Sequence, residues 1–354
     1  MPGPGGFLDK VTQSTLEGLN VAIAIPERAA GDIEGALVER FRDRVIETVR
    51  VDKCNAPVLQ VAQAIGIHEE PRDIDDLFSK VRFASSDLVF IPSITSQHWA
   101  DWKRFFEDYD AISKDRPPDQ RPKLLAILRG IDLPKEVTRS VTFRGFRWMG
   151  SVSELDVTLY VMERLALRSL TDGQRLLASS VVAKLALGDV DLADALAERS
   201  FADILRPHAF LQEWAARYDW TVSTTKHWAA GTSFRMHGVD EVHSAILALE
   251  ENLSAIDSRI WAAQAAILMP SIERERLKLV AAAKRFLRPP FLLPDGEQVS
   301  NAELLEIGPL AHQMVVRGAP REMRKRAFDL KAIRNKLAHM ESLSIEDTLS
   351  IGLI

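Results

Sequence analysis

The rhythm of apolar and polar positions changes near residue 150. Before it, short apolar runs of strand length (residues 19–25, 46–51, 88–91, 124–128 and 141–146) alternate with amphipathic stretches. The first run, Leu19 to Ile25, is closed by Pro26. Residues 33–45 then place Ile33, Ala36, Leu37, Phe41 and Val45 at helical spacing behind Asp32, a candidate N-cap. Residues 73–83 and 96–111 read as two more helices. Strands that alternate with helices need crossovers, so the pattern predicts a mainly parallel sheet. The polar, proline-rich stretch 113–122 reads as an exposed connection.

After residue 150 the strand signals fade. Residues 153–167, 172–187, 192–197 and 201–218 carry helical periodicity, and the β-branched stretch 220–237 suits a small winged-helix-like module. From residue 239 onward the pattern is almost purely helical: 241–269 as one or two helices stopped by Pro270, then 272–287, 301–316 and 321–340. The expected fold is multidomain. An α/β parallel-sheet domain covers residues 1–150, a helical winged-helix-like module 151–238, and an all-α bundle 239–354.

Composition narrows the function classes. A chain of 354 residues with 46% hydrophobic and 27% charged residues is globular and large enough for two or three cores. Its single cysteine, Cys54, excludes an intramolecular disulfide and an all-thiolate zinc site within one chain. At a formal charge of −5 no chain-wide basic field exists to grip nucleic acid. The N-terminus lacks the basic start and apolar stretch of a signal peptide. The longest quiet apolar run, 260–272, is interrupted by Gln264 and Pro270 and falls short of the roughly 20 residues that span a bilayer. A soluble, cytoplasmic protein without membrane contact is therefore expected.

The turn after the first strand can be tested against a phosphate-binding loop, which needs G-x-x-x-x-G-K-[ST] between a strand and a helix. Here the register reads Pro26, then Gly31, Asp32 and Ile33 at the three diagnostic positions. Pro26 removes an amide, Asp32 replaces the phosphate-neutralising lysine with a negative charge, and Ile33 offers no magnesium ligand. No acidic pair follows residues 88–91; Pro92 and Ser93 stand there instead. The order of elements resembles the inactive variants of the STAND branch of AAA-type ATPases over about the first 235 residues. The resemblance lies in organisation, and it implies a degenerate P-loop domain. Neither NTPase activity nor a cofactor is expected.

The most informative stretch lies near the C-terminus. On a helix at about 100° per residue, Leu330, Ile333, Leu337 and Met340 form an apolar stripe, with Lys331, Asn335 and His339 roughly opposite and Arg334 at the edge of that polar face. Residues 316–340 hold eight basic residues, Arg317, Arg321, Arg324, Lys325, Arg326, Lys331, Arg334 and Lys336, against Glu322 and Asp329. That is a local charge of +6 in a chain of −5. Such a patch is the electrostatic footprint of a polyanion site. An imidazole can take the proton of a 2′-hydroxyl, and a guanidinium can hold a phosphate through two hydrogen bonds.

Arg334-Asn335-Lys-Leu-Ala-His339 resembles the HEPN family, whose signature is an arginine and a histidine four to six residues apart, often with Asn, Asp or His after the arginine. The resemblance covers about residues 239–354. It implies an all-helical domain that forms a homodimer and cleaves RNA without metal, with Arg334, Asn335 and His339 catalytic. Lys331, Lys336, Arg324, Lys325 and Arg326 would guide the strand. Some members only bind RNA or act as scaffolds. The expected role is an effector or sensor-effector, a toxin-like component of a prokaryotic antiphage system, with partner proteins from that system. The alternative is an inactive regulator or scaffold that binds proteins or RNA.

Other chemistry has little support in the sequence. His227, His237 and His243 lack metal-ligand spacing, and no H-x-x-x-H occurs. No metal site is expected. Cys54 has no nucleophile signature and reads as a loop or core residue. Trp99 and Trp102 sit beside Phe105 and Phe106 on an amphipathic helix and are assigned to a core, and the apolar run 261–268 to a bundle core or dimer seam.

Overall fold

The computed structural model describes residues 2–28, 32–80, 88–117, 121–236, 238–292, 296–350 and 352. The chain divides into two compact units. One gathers Met1–Asp156, Leu187–Asp191 and Ser223–His243; the other gathers Val157–Ala186, Leu192–Val222 and Ser244–Ile354. The division does not follow the expected boundaries at residues 150 and 238.

The first unit opens with α1 (Pro2–Leu16), then β1 (Asn20–Ile25), α2 (Ile33–Arg40), β2 (Ile46–Thr48), α3 (Pro57–Ala64) and α4 (Ile74–Lys80). It continues with β3 (Leu88–Ile94), α5 (Trp99–Ser113), β4 (Lys123–Arg129), α6 (Lys135–Arg139) and β5 (Phe143–Arg147). The five strands form one sheet in the order β2-β3-β4-β1-β5, and every neighbouring pair is parallel. Side chains alternate across a strand, so each strand feeds two cores. Val21, Ile23 and Ile25 of β1, with Leu125 and Ile127 of β4, pack against Leu8 and Val11 of α1 and Ile33 and Leu37 of α2. Ala22 of β1, with Leu124, Ala126 and Leu128 of β4, meets Val61 of α3, Leu77 and Phe78 of α4, and Trp102, Phe105, Phe106 and Tyr109 of α5. Burial on both faces is why these strands read as continuous apolar runs.

Several expectations shift. α1 lies in a stretch rich in proline and glycine, whose poor helix propensity is outweighed by burial of Leu8 and Val11 on the sheet. α3 is not among the expected helices, although Pro57, Gln60 and Val61 are buried at helical spacing. β3 runs past Ile91 through Pro92 and Ser93, at the cost of a register shift between Ile91 and Ile94, because proline cannot donate to the ladder. Of the helix expected at 73–83, residues 81–83 lie outside the described residues.

Within the stretch expected to hold a winged-helix-like module, β6 (Ser233–Met236) and β7 (Val239–Val242) form an antiparallel hairpin, with Gly238 in the turn at φ 84°. It groups with the sheet unit. A buried pair, His243 Nε2 at 3.1 Å from Asp189 Oδ2, and Phe234 packed against Gly188 tie it to the 187–191 turn.

The second unit is helical: most of α7 (Glu154–Leu165), then α8 (Asp172–Ala186), α9 (Val190–Ala197), α10 (Phe201–Leu205), α11 (His208–Ala216), α12 (Ser244–Leu249) and α13 (Leu253–Ala283). A small hairpin, β8 (Phe291–Leu292) and β9 (Gln298–Val299), precedes α14 (Ile307–Val316), α15 (Arg321–Ala338) and α16 (Ile345–Ser350). One core joins Leu268, Ile272 and Leu279 of α13, Leu310 and Met314 of α14, and Ala327, Leu330, Ile333 and Leu337 of α15.

Two breaks differ from expectation. The helix expected at 201–218 is split before Pro207, which pushes Arg206 out of helical geometry to φ −131°, ψ 63°. The break expected at Pro270 is absent, and α13 runs 31 residues through it. Pro270 and Ala266 are both exposed, so the carbonyl four residues back, which proline leaves without a donor, faces water. Among the described residues no helix is long and apolar enough to cross a membrane.

Candidate nucleic-acid site and the phosphate-loop position

α15 ends at Ala338, with His339 as its C-cap; the His339 amide donates to the carbonyls of Asn335 and Lys336 at 2.9 and 3.1 Å. Met340, expected on the apolar stripe, lies past the helix end in left-handed backbone (φ 61°) and is exposed, whereas Leu330, Ile333 and Leu337 are buried as expected. The indole Nε1 of Trp261 on α13 donates to the Leu337 carbonyl at 2.6 Å, beside the Met340 amide, which donates to the same oxygen at 3.2 Å. The carboxamide of Gln264 then fixes Leu343, three residues beyond Met340. The motif thus sits on a helix end held from two sides.

His339 is exposed and Asn335 half-buried. Four residues apart, they share a face. Arg334 does not. Five residues from His339, it leaves the helix axis about 140° away. There its Nη2 lies 3.2 Å from Glu306 Oε2, the residue that precedes α14. Arg334 and Glu306 line a cavity of about 460 Å³ with Met269, Ile272, Leu305 and Ile307. Arg276 forms its inner wall, with both Glu273 carboxylate oxygens and the carbonyls of Glu303 and Leu305 as acceptors.

The basic patch is partly neutralised. Lys325 pairs with Asp329 and Lys336 with Asp347, each at 2.7 Å, and Arg326 pairs with Glu275 at 3.2 Å. Burial opposes ionisation of Asp347, but hydrogen bonds from Lys336 and Ser344 outweigh it and hold its pKa below the usual aspartate range. Among the described residues, no carboxylate lies within ion-pair distance of Arg317, Arg321, Arg324 or Lys331. Lys331 is half-buried, with its Cε close to Gly308 in the first turn of α14.

In the first unit, the phosphate-loop position is closed by the chain's own groups. Gly31 lies outside the described residues. Pro26 is buried after β1, and Ile33 is a core residue beneath α2. Asp32 caps α2, its carboxylate accepting from the Gly35 amide at 2.6 Å, so the helix start already holds a negative charge. A Cβ at position 35 would meet that carboxylate in its present rotamer. The end of β1 is also covered. The Glu27 amide donates to the Ala229 carbonyl at 2.6 Å, and Trp228 and Ala229 pack on Ala24 of β1.

Comparison with family models, with curated proteins and with solved structures found no match for this chain.

The remaining candidates find plain roles. Trp102, Phe105 and Phe106 are buried and Trp99 packs beside them. Cys54 is exposed. His227 accepts from the Ala229 amide through Nδ1, His243 is buried against Asp189, and His237 lies outside the described residues. Among the described residues no group of three His, Cys, Asp or Glu side chains is placed to hold a metal ion. Trp261, Gln264 and Glu306 were not legible as parts of this site. Gln264 left one trace, as the lone amide inside an apolar run. Glu306 left none.

Proposed function

We propose that the second unit contains a HEPN-like domain that cleaves RNA without a metal ion, and that the first is a degenerate P-loop-like domain that senses a partner or restrains the effector in a conflict system. The observation that carries the reading is the placement of half-buried Asn335 and exposed His339 on one side at the end of a basic helix that is anchored by Trp261 and Gln264. Anchoring matters because general-base catalysis needs the imidazole within hydrogen-bond reach of the attacking hydroxyl. The sheet order, read as β5-β1-β4-β3-β2, is that of AAA-type P-loop cores and supports the second half of the reading. With Asp32 on the start of α2 and Ile33 in the core, nucleotide hydrolysis is not part of it.

In the proposed reaction His339 takes the proton of a 2′-hydroxyl, the 2′-oxygen attacks phosphorus, and the bond to the 5′-oxygen breaks. A 2′,3′-cyclic phosphate remains, and the leaving oxygen takes a proton from solvent or a second histidine. Arg334 offsets the charge that develops on the phosphoryl oxygens. Because Arg334 and His339 diverge on one helix, the reading calls for Arg334 of one copy and His339 of another at the same phosphate. Lys331 and Lys336, with Arg324, Lys325 and Arg326, attract the strand.

A scaffold that binds a partner is the second reading. It is favoured by the carboxylates already paired with Lys325, Arg326, Arg334 and Lys336. Cleavage of RNA in EDTA separates the two. Under the nuclease reading, His339→Ala and Arg334→Ala each lower the rate about 100-fold or more with an unchanged melting temperature. Cleavage that depends on added magnesium, or that survives both substitutions, would sink it.

A further inference from the structure

The ion pair between Arg334 and Glu306 is placed where a phosphate would bind. Arg334 is about one third exposed, and Glu306 is its one carboxylate partner among the described residues. Glu306 is itself 71% exposed. It stands at the N-cap of α14, yet its side chain caps nothing. No buried hydrogen bond therefore requires a carboxylate at position 306. What the carboxylate does is set one oxygen, Oε2, 3.2 Å from Arg334 Nη2, on a donor that a phosphodiester oxygen would also use. Exposure on both sides keeps the pair weak, since surface pairs of this kind are worth little in water. Such a pair opens readily when a stronger anion arrives. Lys331, close to the first turn of the same helix, adds a second positive charge nearby without a carboxylate partner of its own.

We propose that Glu306 is a built-in competitor for the phosphodiester at Arg334: it occupies the guanidinium in the free protein and must be displaced when RNA binds. The inference rests on the RNA-binding reading above. It assigns Glu306 an affinity-lowering role that composition and spacing do not suggest. The exchange lowers by one common factor the affinity of every anion that takes Arg334, because each must first displace the tethered carboxylate. Arg276, deeper in the same cavity, takes no part, since its donors are already committed to Glu273 and to two carbonyls.

The test measures binding of a 2′-O-methyl RNA oligonucleotide, which cannot form the cyclic phosphate, by fluorescence anisotropy at one fixed salt concentration on the full chain. Four forms are compared: wild type, Glu306→Gln, Arg334→Ala and the double variant, with Glu303→Gln as a control for loss of a nearby negative charge. The expected result is about three- to tenfold tighter binding for Glu306→Gln, the size set by a surface ion pair. No such gain is expected in the Arg334→Ala background or for Glu303→Gln. An unchanged affinity for Glu306→Gln, or an equal gain with Arg334 removed, would overturn the role of Glu306 while leaving the RNA reading standing. Absence of RNA binding in every form would overturn both.

Discussion

The side-chain amide of Gln264 is bonded at both ends to the backbone of Leu343: Nε2 donates to its carbonyl at 3.0 Å and Oε1 accepts from its amide at 2.7 Å. Gln264 is fully buried in α13, and Leu343 belongs to the segment that leaves α15. A glutamine imitates here the pairing of a neighbouring strand. It fixes the chain just after His339.

Removing that amide should cost more than a single hydrogen bond. Gln264→Leu keeps the volume but strands two backbone groups in an apolar core, each costing about 1–3 kcal/mol. A destabilisation of about 2–4 kcal/mol is expected in urea unfolding. RNA cleavage should fall with it, because the end of α15 loses an anchor. An unchanged unfolding midpoint would show that the loop satisfies itself elsewhere.

Pro270 lies in the interior of α13 without breaking it. Its φ fits the helix, so the cost is the missing amide and the clash with the carbonyl four residues back. Pro270→Ala restores the amide on an exposed face and should stabilise the chain by about 1–3 kcal/mol. The check is a higher unfolding midpoint with the m-value unchanged. A lower midpoint would mean that a bend at Pro270 is needed for packing.

Asp156 makes acid stability measurable in the first unit. Its burial works against ionisation, but the Ser153 hydroxyl and amide and the Gly3 amide outweigh that effect and hold the pKa below the usual aspartate range. A carboxylate with a lowered folded pKa contributes stability above its unfolded value, and that contribution disappears as pH falls through the folded value. Asp156→Asn should therefore be less stable than wild type at neutral pH, and the gap should begin to narrow as pH falls below about 4. Urea midpoints at pH 7 and pH 3 give the comparison. A gap that does not narrow between pH 7 and pH 3 would remove ionisation as the cause.

Much of the first unit was legible because its strands are buried on both faces. Residues 19–25 and 124–128 are apolar at nearly every position, and only a covered parallel sheet hides both sides of a strand. Helices with a clear stripe, such as α5 and α15, were equally plain. What could not be read was local structure imposed from elsewhere. α1 is held by the sheet despite its glycines, and α13 survives a proline because one exposed face gives its carbonyl to water. The division into units was hidden for the same reason, since the contact between Asp189 and His243 joins residues 54 positions apart.

The candidate site divides in a similar way. By itself the sequence determined the Arg334-Asn335-His339 spacing, the amphipathic helix that carries it and the run of positive charge around it, all set by positions within a few helical turns. It also determined that no lysine follows the first strand to neutralise a phosphate. Only the tertiary structure decided the rest. It brought Glu275, Glu306 and Asp347 onto three of the basic residues and anchored the helix end through Trp261 and Gln264. Charge counted along a chain is a one-dimensional sum, while the field at a site depends on which carboxylates the fold brings within a few ångströms.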